Sequence, residues 1–209
     1  MAKLKAGYWL ALGVALLLAG CEPQASIPQG VQVYFSPKGG ATEAVVGVLQ
    51  QATNSVLVQA YSFTSAPIAK TLVDAHRRGV KVQVILDRSQ RTEKYSEADF
   101  LKNNGIPTLI DAQHTIAHNK IMILDERVVV TGSFNFTKAA EEHNAENLLV
   151  INDPALAGKY IANWHAHEQH SEPYERESRP AAAKSEGRKA KAEGRSKSEI
   201  RIRLQPPSG

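Results

Sequence analysis

Between residues 118 and 135 the chain reads HNKIMILDERVVVTGSFN, and its reactive side chains recur at short spacings: His118, Lys120 and Asp125, then Gly132, Ser133 and Asn135. An imidazole two residues from an ammonium, with a hydroxyl and an amide close behind, is a set suited to phosphate chemistry. The imidazole can attack phosphorus or move a proton, while lysine and asparagine hold the nonbridging oxygens as charge builds on them. In an extended chain alternate side chains share a face, so His118 and Lys120 are expected to project together, with Asn119 turned away.

The elements around these residues must bring them together. AHNKIMIL and RVVVTGS read as strands joined at Asp125-Glu126, a hairpin with that pair at its tip. Antiparallel pairing then returns Gly132-Ser133 to the neighbourhood of His118. SFNFTKAAEEH is predicted to open a helix with Ser133 or Asn135 as N-cap, where free backbone N–H groups would favour an anion. Asp125, at the hairpin tip, should lie roughly 20 Å from His118 by strand rise, so its role is structural and not catalytic.

Upstream, extended and helical patterns alternate. VQVYFSP, SVLVQAYSF, VKVQVILD and IPTLID read as strands. Between them, ATEAVVGVLQQAT carries Val45, Val48, Leu49 and Ala52 at helical spacing, and APIAKTLVDAHRRG ends in the basic residues and glycine expected at a helix C-terminus. A further short helix is predicted over residues 97–103. The alternation predicts an α/β fold: a mixed, largely parallel β-sheet sandwiched by helices.

The spacing His118-x-Lys120, Asp125, Gly132-Ser133-x-Asn135 resembles the HKD signature of the phospholipase D superfamily. Six residues at fixed spacing arise by chance only on the order of a few times per million chains, at about one in twenty per residue. YFSPKGG, AYSFTSAPI, RRGVKVQVILD and GSFNFTKAAEEHNAENLLVI extend the resemblance, over residues 31–167, to the short bacterial Nuc-type endonucleases. Most superfamily members carry two HKD motifs, but no histidine other than His118 is followed by lysine two residues on.

The resemblance therefore implies a phospholipase D-like fold and a homodimer in which two copies share one site. It implies phosphodiester hydrolysis through a phosphohistidine on His118, with the second copy's His118 as acid and then base. Lys120 and Asn135 would bind the phosphate oxygens and Ser133 would add a hydrogen bond. Glu146, in HNAENLLVI, would orient the histidine. No metal and no organic cofactor is implied.

Other residues carry weaker signals. Arg88, Arg91 and Lys94 follow a strand's C-terminal end, where α/β proteins place ligand loops, and contact with a nucleic-acid backbone competes there with a plain solvated loop. His114, His165 and His167 could suggest a metal or proton relay, but i and i+2 diverge on a helix and no acidic partner has matching spacing, so surface histidines are expected. Leu156, Tyr160 and Trp164 recur every four residues and predict a helix packed on the sheet.

The chain has 209 residues and one cysteine, which excludes an intramolecular disulfide. Residues 1–20 have two lysines and an apolar run shorter than a bilayer span, the pattern of a secretory signal. Leu18-Ala19-Gly20-Cys21 resembles the lipobox of bacterial lipoproteins, an ordinary signal cleaved near Ala19 or Ala25 being the alternative. Residues 21–30 read as a linker, 31–170 as the catalytic domain and 171–209 as a basic disordered tail. That tail has ten Lys/Arg against six Asp/Glu, and the remainder fifteen of each, so the basic balance belongs to the tail.

The resulting expectation is an exported, periplasmic, membrane-anchored homodimer that cleaves DNA, or RNA, without sequence preference and without a metal. The competing readings are a phospholipase D acting on lipid head groups near the membrane, and a non-catalytic nucleic-acid-binding protein.

Overall fold

The computed structural model describes residue 27 and residues 29–177; the signal segment with Cys21, and the chain beyond residue 177, lie outside the described residues. Eight strands form one sheet in the order β1-β7-β6-β5-β2-β3-β4-β8. In chain order these are β1 (Gly30–Ser36), β2 (Ser55–Ala60), β3 (Lys81–Asp87), β4 (Thr108–Asp111), β5 (Lys120–Leu124), β6 (Val128–Gly132), β7 (Glu146–Asn152) and β8 (Glu172–Pro173). The helices are α1 (Ala41–Gln51), α2 (Ala66–Arg77), α3 (Ala98–Asn103), α4 (Lys138–Glu142) and α5 (Pro154–Glu168).

The sheet is mixed, as expected, but parallel pairing is confined to β2–β3 and β3–β4, where α2 and α3 provide the crossovers. The other five pairs are antiparallel, which corrects the expectation of a largely parallel sheet. The reason is connection length: Asp125 and Glu126, both at positive φ, turn β5 directly into β6, and such a turn admits antiparallel pairing alone.

Strand alternation divides the core into two layers. Val56, Val58, Val84, Met122, Val130 and Val150 face α1 and α2, whose apolar stripes Val45/Val48/Leu49 and Ile68/Leu72 are buried on them. Ile85, Ile121, Ile123 and Val129 face α5, where Ala157 and Trp164 are buried. Trp164 also donates Nε1–H to the Val58 carbonyl at 2.9 Å, so the expected packing of this helix is realised with its polar handle satisfied. Asp153 caps α5 by accepting from the Ala155 and Leu156 N–H groups, and Pro154 follows at the first turn.

The folded body runs past the expected boundary at residue 170. Glu172–Pro173 pairs with β4, and Tyr174 is buried, its hydroxyl donating to Asp99 at 3.0 Å. The buried Tyr174 ring, the pairing with β4 and ion pairs to Arg91, Lys102 and Asp99 together hold a segment whose composition reads as tail.

Candidate active site

The strand carrying Lys120 begins at that residue, so His118 stands in the approach to β5 and not within it. His118 is exposed, whereas Lys120 is only 7 % exposed. The Lys120 ammonium donates to the His118 carbonyl oxygen at 3.0 Å, which folds the two residues against each other. Burial holds this ammonium below the usual lysine range, with the Glu146 carboxylate pulling in the opposite direction.

Tyr61, just beyond β2, joins the two. Its ring centroid is 4.6 Å from that of His118 and 5.2 Å from Lys120 Nζ, and its N–H donates to the Asn119 carbonyl. The sequence reading missed Tyr61; the available signal was its place directly after the C-terminal end of a central strand. Asp87 was missed for the same reason. Its buried carboxylate accepts from Ser89 N–H at 2.9 Å and from Ala117 N–H at 2.7 Å, fixing the residue before His118.

On the partner strand Thr131 pairs with Ile121, so Gly132 reaches the level of Lys120. A Cβ on Gly132 would lie 2.3 Å from the Asn147 carbonyl oxygen, so no other residue fits without moving β7. That close approach lets Ser133 N–H donate to the Asn147 oxygen at 3.1 Å, while Ser133 Oγ accepts from Asn147 N–H at 3.0 Å. Ser133 is exposed. The buried oxygen of the Asn135 carboxamide has no hydrogen-bond partner among the described residues; an amide binds phosphate oxygens through its N–H donors.

The expected helix start at Ser133 or Asn135 is not formed. Thr137 is the N-cap, accepting from Ala140 N–H at 3.1 Å, and α4 is only five residues long. Phe136 explains the delay: it bridges to Phe63 and its carbonyl accepts from Thr64 and Ser65 N–H, which holds this segment extended. Ser133 and Asn135 are therefore presented by an irregular loop.

Asp125 lies at the hairpin tip as expected. Its carboxylate accepts from Thr53 N–H at 2.9 Å, Thr53 Oγ1 at 3.0 Å, Asn54 N–H at 2.7 Å and Ser55 N–H at 3.0 Å, tying the hairpin to the start of β2. Burial opposes its ionisation, but these donors outweigh burial and hold the carboxyl below the usual range. Glu146, at the start of β7, accepts from Asn144 Nδ2 and acts electrostatically on Lys120; it makes no hydrogen bond to His118 of its own chain.

The comparison with known proteins shows which family the chain belongs to. The family model described as "Cardiolipin synthase, PLD-like domain" matches residues 45–167. This chain belongs to the phospholipase D superfamily. A protein named phospholipase D from Rickettsia typhi is 43% identical over 143 residues, covering 66% of this chain and 70% of that one. Among solved structures, the phospholipase D family member Nuc from Salmonella typhimurium aligns with a TM-score of 0.66 at 41% identity, over 69% of this chain and 97% of that chain. NucT from Helicobacter pylori aligns with a TM-score of 0.63 at 25% identity, over 69% and 98%. The chain is thus a Nuc-type phospholipase D superfamily member and a phosphodiester hydrolase.

The three basic residues of the loop after β3 part company. Arg88 is exposed and lines an open groove with Tyr61, Asp87 and Ser89, to which Arg91, Glu172 and Glu177 also contribute. Arg91, with 14% of its side chain exposed, is held by Glu172 at 2.8 Å and Glu177 at 3.5 Å, which commits it to fastening the C-terminal segment. Lys94 is exposed, its ammonium 5.1 Å from the Tyr95 ring.

The histidines also divide. His165 is on the surface, paired with Glu168 at 2.8 Å, as expected. His114 and His167 are not isolated surface residues: with His170 they converge on the buried carboxylate of Asp111. The sequence reading compared His165 with His167, whereas the fold pairs His167 with residues 56 and 53 positions away.

Proposed function

We propose that this superfamily hydrolase is an endonuclease that cleaves DNA, and RNA as a secondary substrate, through a phosphohistidine on His118. The observation that carries the reading is the exposed His118 on Tyr61, beside a desolvated Lys120, where Tyr61 also lines an open groove running past Arg88. An open groove lined by the exposed Arg88 gives a polyanion a path past the site, the groove's Glu172 and Glu177 carboxylates being paired with Arg91. The similarity to Nuc along nearly all of that chain points the same way.

The reaction takes two displacements. An imidazole nitrogen of His118 attacks phosphorus, forming a P–N bond as the P–O bond to the leaving alcohol breaks, and the second copy's His118 donates a proton to that oxygen. Water then attacks phosphorus, the P–N bond breaks, and the second histidine takes the water's proton. Lys120 and Asn135 hold the nonbridging oxygens, and burial of Lys120 strengthens its pull on a developing charge. Glu146 favours the charged form of Lys120 against the effect of burial.

A second copy is required because one chain offers one HKD histidine. A surface fits it: Val31, Val33 and Phe35 of β1 are 64%, 51% and 62% exposed. By register with Ile151, Leu149 and Asn147 they extend the α5 face of the sheet, which α5 covers only further along. This stripe leads to the site, since Phe35 pairs with Asn147 and Asn147 holds Ser133. The homodimer so formed would place two sites side by side. We also propose export to the periplasm and anchoring through lipidated Cys21, supported by the Leu18-Ala19-Gly20-Cys21 sequence.

The name of the Rickettsia typhi relative favours one other substrate, a phospholipid head group. Purified protein with excess EDTA, given plasmid DNA in one arm and phosphatidylcholine or cardiolipin vesicles in the other, separates the readings. Nicking and linearisation of the plasmid, with vesicles turned over far more slowly, is expected. Rapid vesicle hydrolysis with intact plasmid would overturn the nuclease reading. Fatty-acid labelling lost in Cys21→Ser tests the anchor, and an unlabelled parent protein removes it.

A further inference from the structure

A second cluster of reactive side chains lies at the other end of the loop that carries His118. Asp111 ends β4 and is fully buried. Its Oδ2 is 2.7 Å from His167 Nδ1, 2.9 Å from His114 Nδ1 and 3.3 Å from His170 Nε2. The three imidazole centroids stand 4.9, 5.2 and 5.4 Å apart, a triangle around one oxygen. His170 Nε2 is buried and faces the Asp111 carboxylate without the geometry of a hydrogen bond.

Hydrogen bonding alone does not account for this arrangement. Three imidazoles gathered at one carboxylate crowd their rings and leave the buried His170 nitrogen without a well-formed hydrogen bond. A divalent cation would replace the protons, satisfy all four donors at once and neutralise the ionised carboxylate.

We propose that Asp111, His114, His167 and His170 form a closed, structural zinc site. The donor atoms all lie within 4.8 Å of one another. Zinc bonds of about 2.0–2.1 Å in a tetrahedron put donors roughly 3.3 Å apart, so the 2.7, 2.9 and 3.3 Å spacings from Asp111 need shifts of tenths of an ångström, while the widest spacings close by up to about 1.5 Å as the imidazoles turn inward. Three imidazoles and one carboxylate suit zinc among available divalent ions, whereas calcium and magnesium favour all-oxygen sets. Four protein donors leave no open position for substrate. His114, with 45% of its side chain exposed, provides the way in.

The ligands join three parts of the fold: the end of β4, the turn after it, and the last turn of α5 with the residue beyond its cap. Residues 115–117 then connect His114 to His118, with Ala117 already held by Asp87. Zinc would fix one end of the catalytic loop as Asp87 fixes the other, and would fasten α5 where the chain turns into β8. The proposal does not depend on the nuclease reading, because its readouts are metal content and stability.

The test uses tagless full-length protein, stripped with chelator, desalted and supplied with zinc chloride. Elemental analysis should return one zinc per chain, with a melting temperature several degrees above that of the stripped protein. Cobalt(II) in place of zinc should give the intense visible absorption of a tetrahedral site. Both signals should vanish in His167→Ala and in the milder His170→Gln, while His165→Ala, on the same helix and outside the cluster, keeps them. Substoichiometric metal in the parent protein, or full zinc retained by His167→Ala and His170→Gln, overturns the site. Cobalt bound with only the weak absorption of an octahedral complex overturns the closed geometry.

Discussion

Replacing Asp125 separates the structural part of the HKD motif from its chemistry. The carboxylate receives hydrogen bonds from Thr53, Asn54 and Ser55, with Oδ2 taking Thr53 N–H and Oγ1. In Asp125→Asn an amide nitrogen replaces one oxygen, so at least two charge-assisted bonds are lost and an N–H faces an N–H. Hydrogen bonds to a charged group contribute about 1.5–3 kcal/mol each, and partial exposure at the hairpin tip brings the pair to about 2–3 kcal/mol together. For a body of this size each kcal/mol moves Tm by about 2–4 °C, so a fall of roughly 5–10 °C is expected by calorimetry at pH 7.

The sign of the pH dependence is fixed by the direction of the Asp125 shift. A carboxyl held below its unfolded value contributes stability that is complete above that value, about 4, and is lost as pH falls through the folded one. The Tm gap between parent and variant should therefore narrow below about pH 4. Turnover of a small chromogenic phosphodiester at 20 °C, where both proteins are folded, should stay within about threefold. A hundredfold loss of kcat with unchanged Tm would refute the structural assignment.

Lys120→Met should lower kcat by about 10²–10³-fold on DNA and on the small diester alike. Because burial depresses the lysine's affinity for its proton, its charge costs stability at neutral pH and that cost fades as pH rises between its folded and unfolded values; Lys120→Met should accordingly melt no lower than the parent at pH 7, and a marked drop by calorimetry would contradict this. Gly132→Ala forces a Cβ to 2.3 Å from the Asn147 oxygen, and should lose both several degrees of Tm and most activity. Phe35→Glu should yield a monomer by sedimentation with no turnover, and an active monomer would remove the shared site. Arg88→Ala should weaken DNA binding and reduce the salt slope by about one, leaving the small diester unaffected, while Arg91→Ala should lower Tm without changing that slope.

The elements that build the sheet were legible because β2 and β3 are short apolar runs rich in valine and isoleucine, and α1 and α2 show apolar stripes. The HKD residues were legible because their spacing is local, and Asp125 could be set apart from catalysis by counting residues along a hairpin. Tertiary contacts were not. Tyr61 follows β2, which neighbours β5 only in space, Asp87 ends β3 one strand further on and reaches Ala117 across the fold, and Phe136 overrides the helix signal at Ser133 through its bridge to Phe63. Arg91 reads as a free cation until Glu172 and Glu177 arrive from the C-terminal segment. His167 illustrates the limit most clearly, because Asp111 and His114 lie more than fifty residues away and no local spacing points to them.

The central claim is that His118 attacks phosphorus and carries it. Protein mixed with substrate, quenched in denaturant under alkaline conditions that preserve phosphohistidine, and analysed by peptide mass spectrometry tests it directly. The account predicts a phosphoryl adduct on the peptide containing His118 in the parent protein and none in His118→Ala, which should also be inactive. Full turnover by His118→Ala, or an adduct on a different residue, would contradict it.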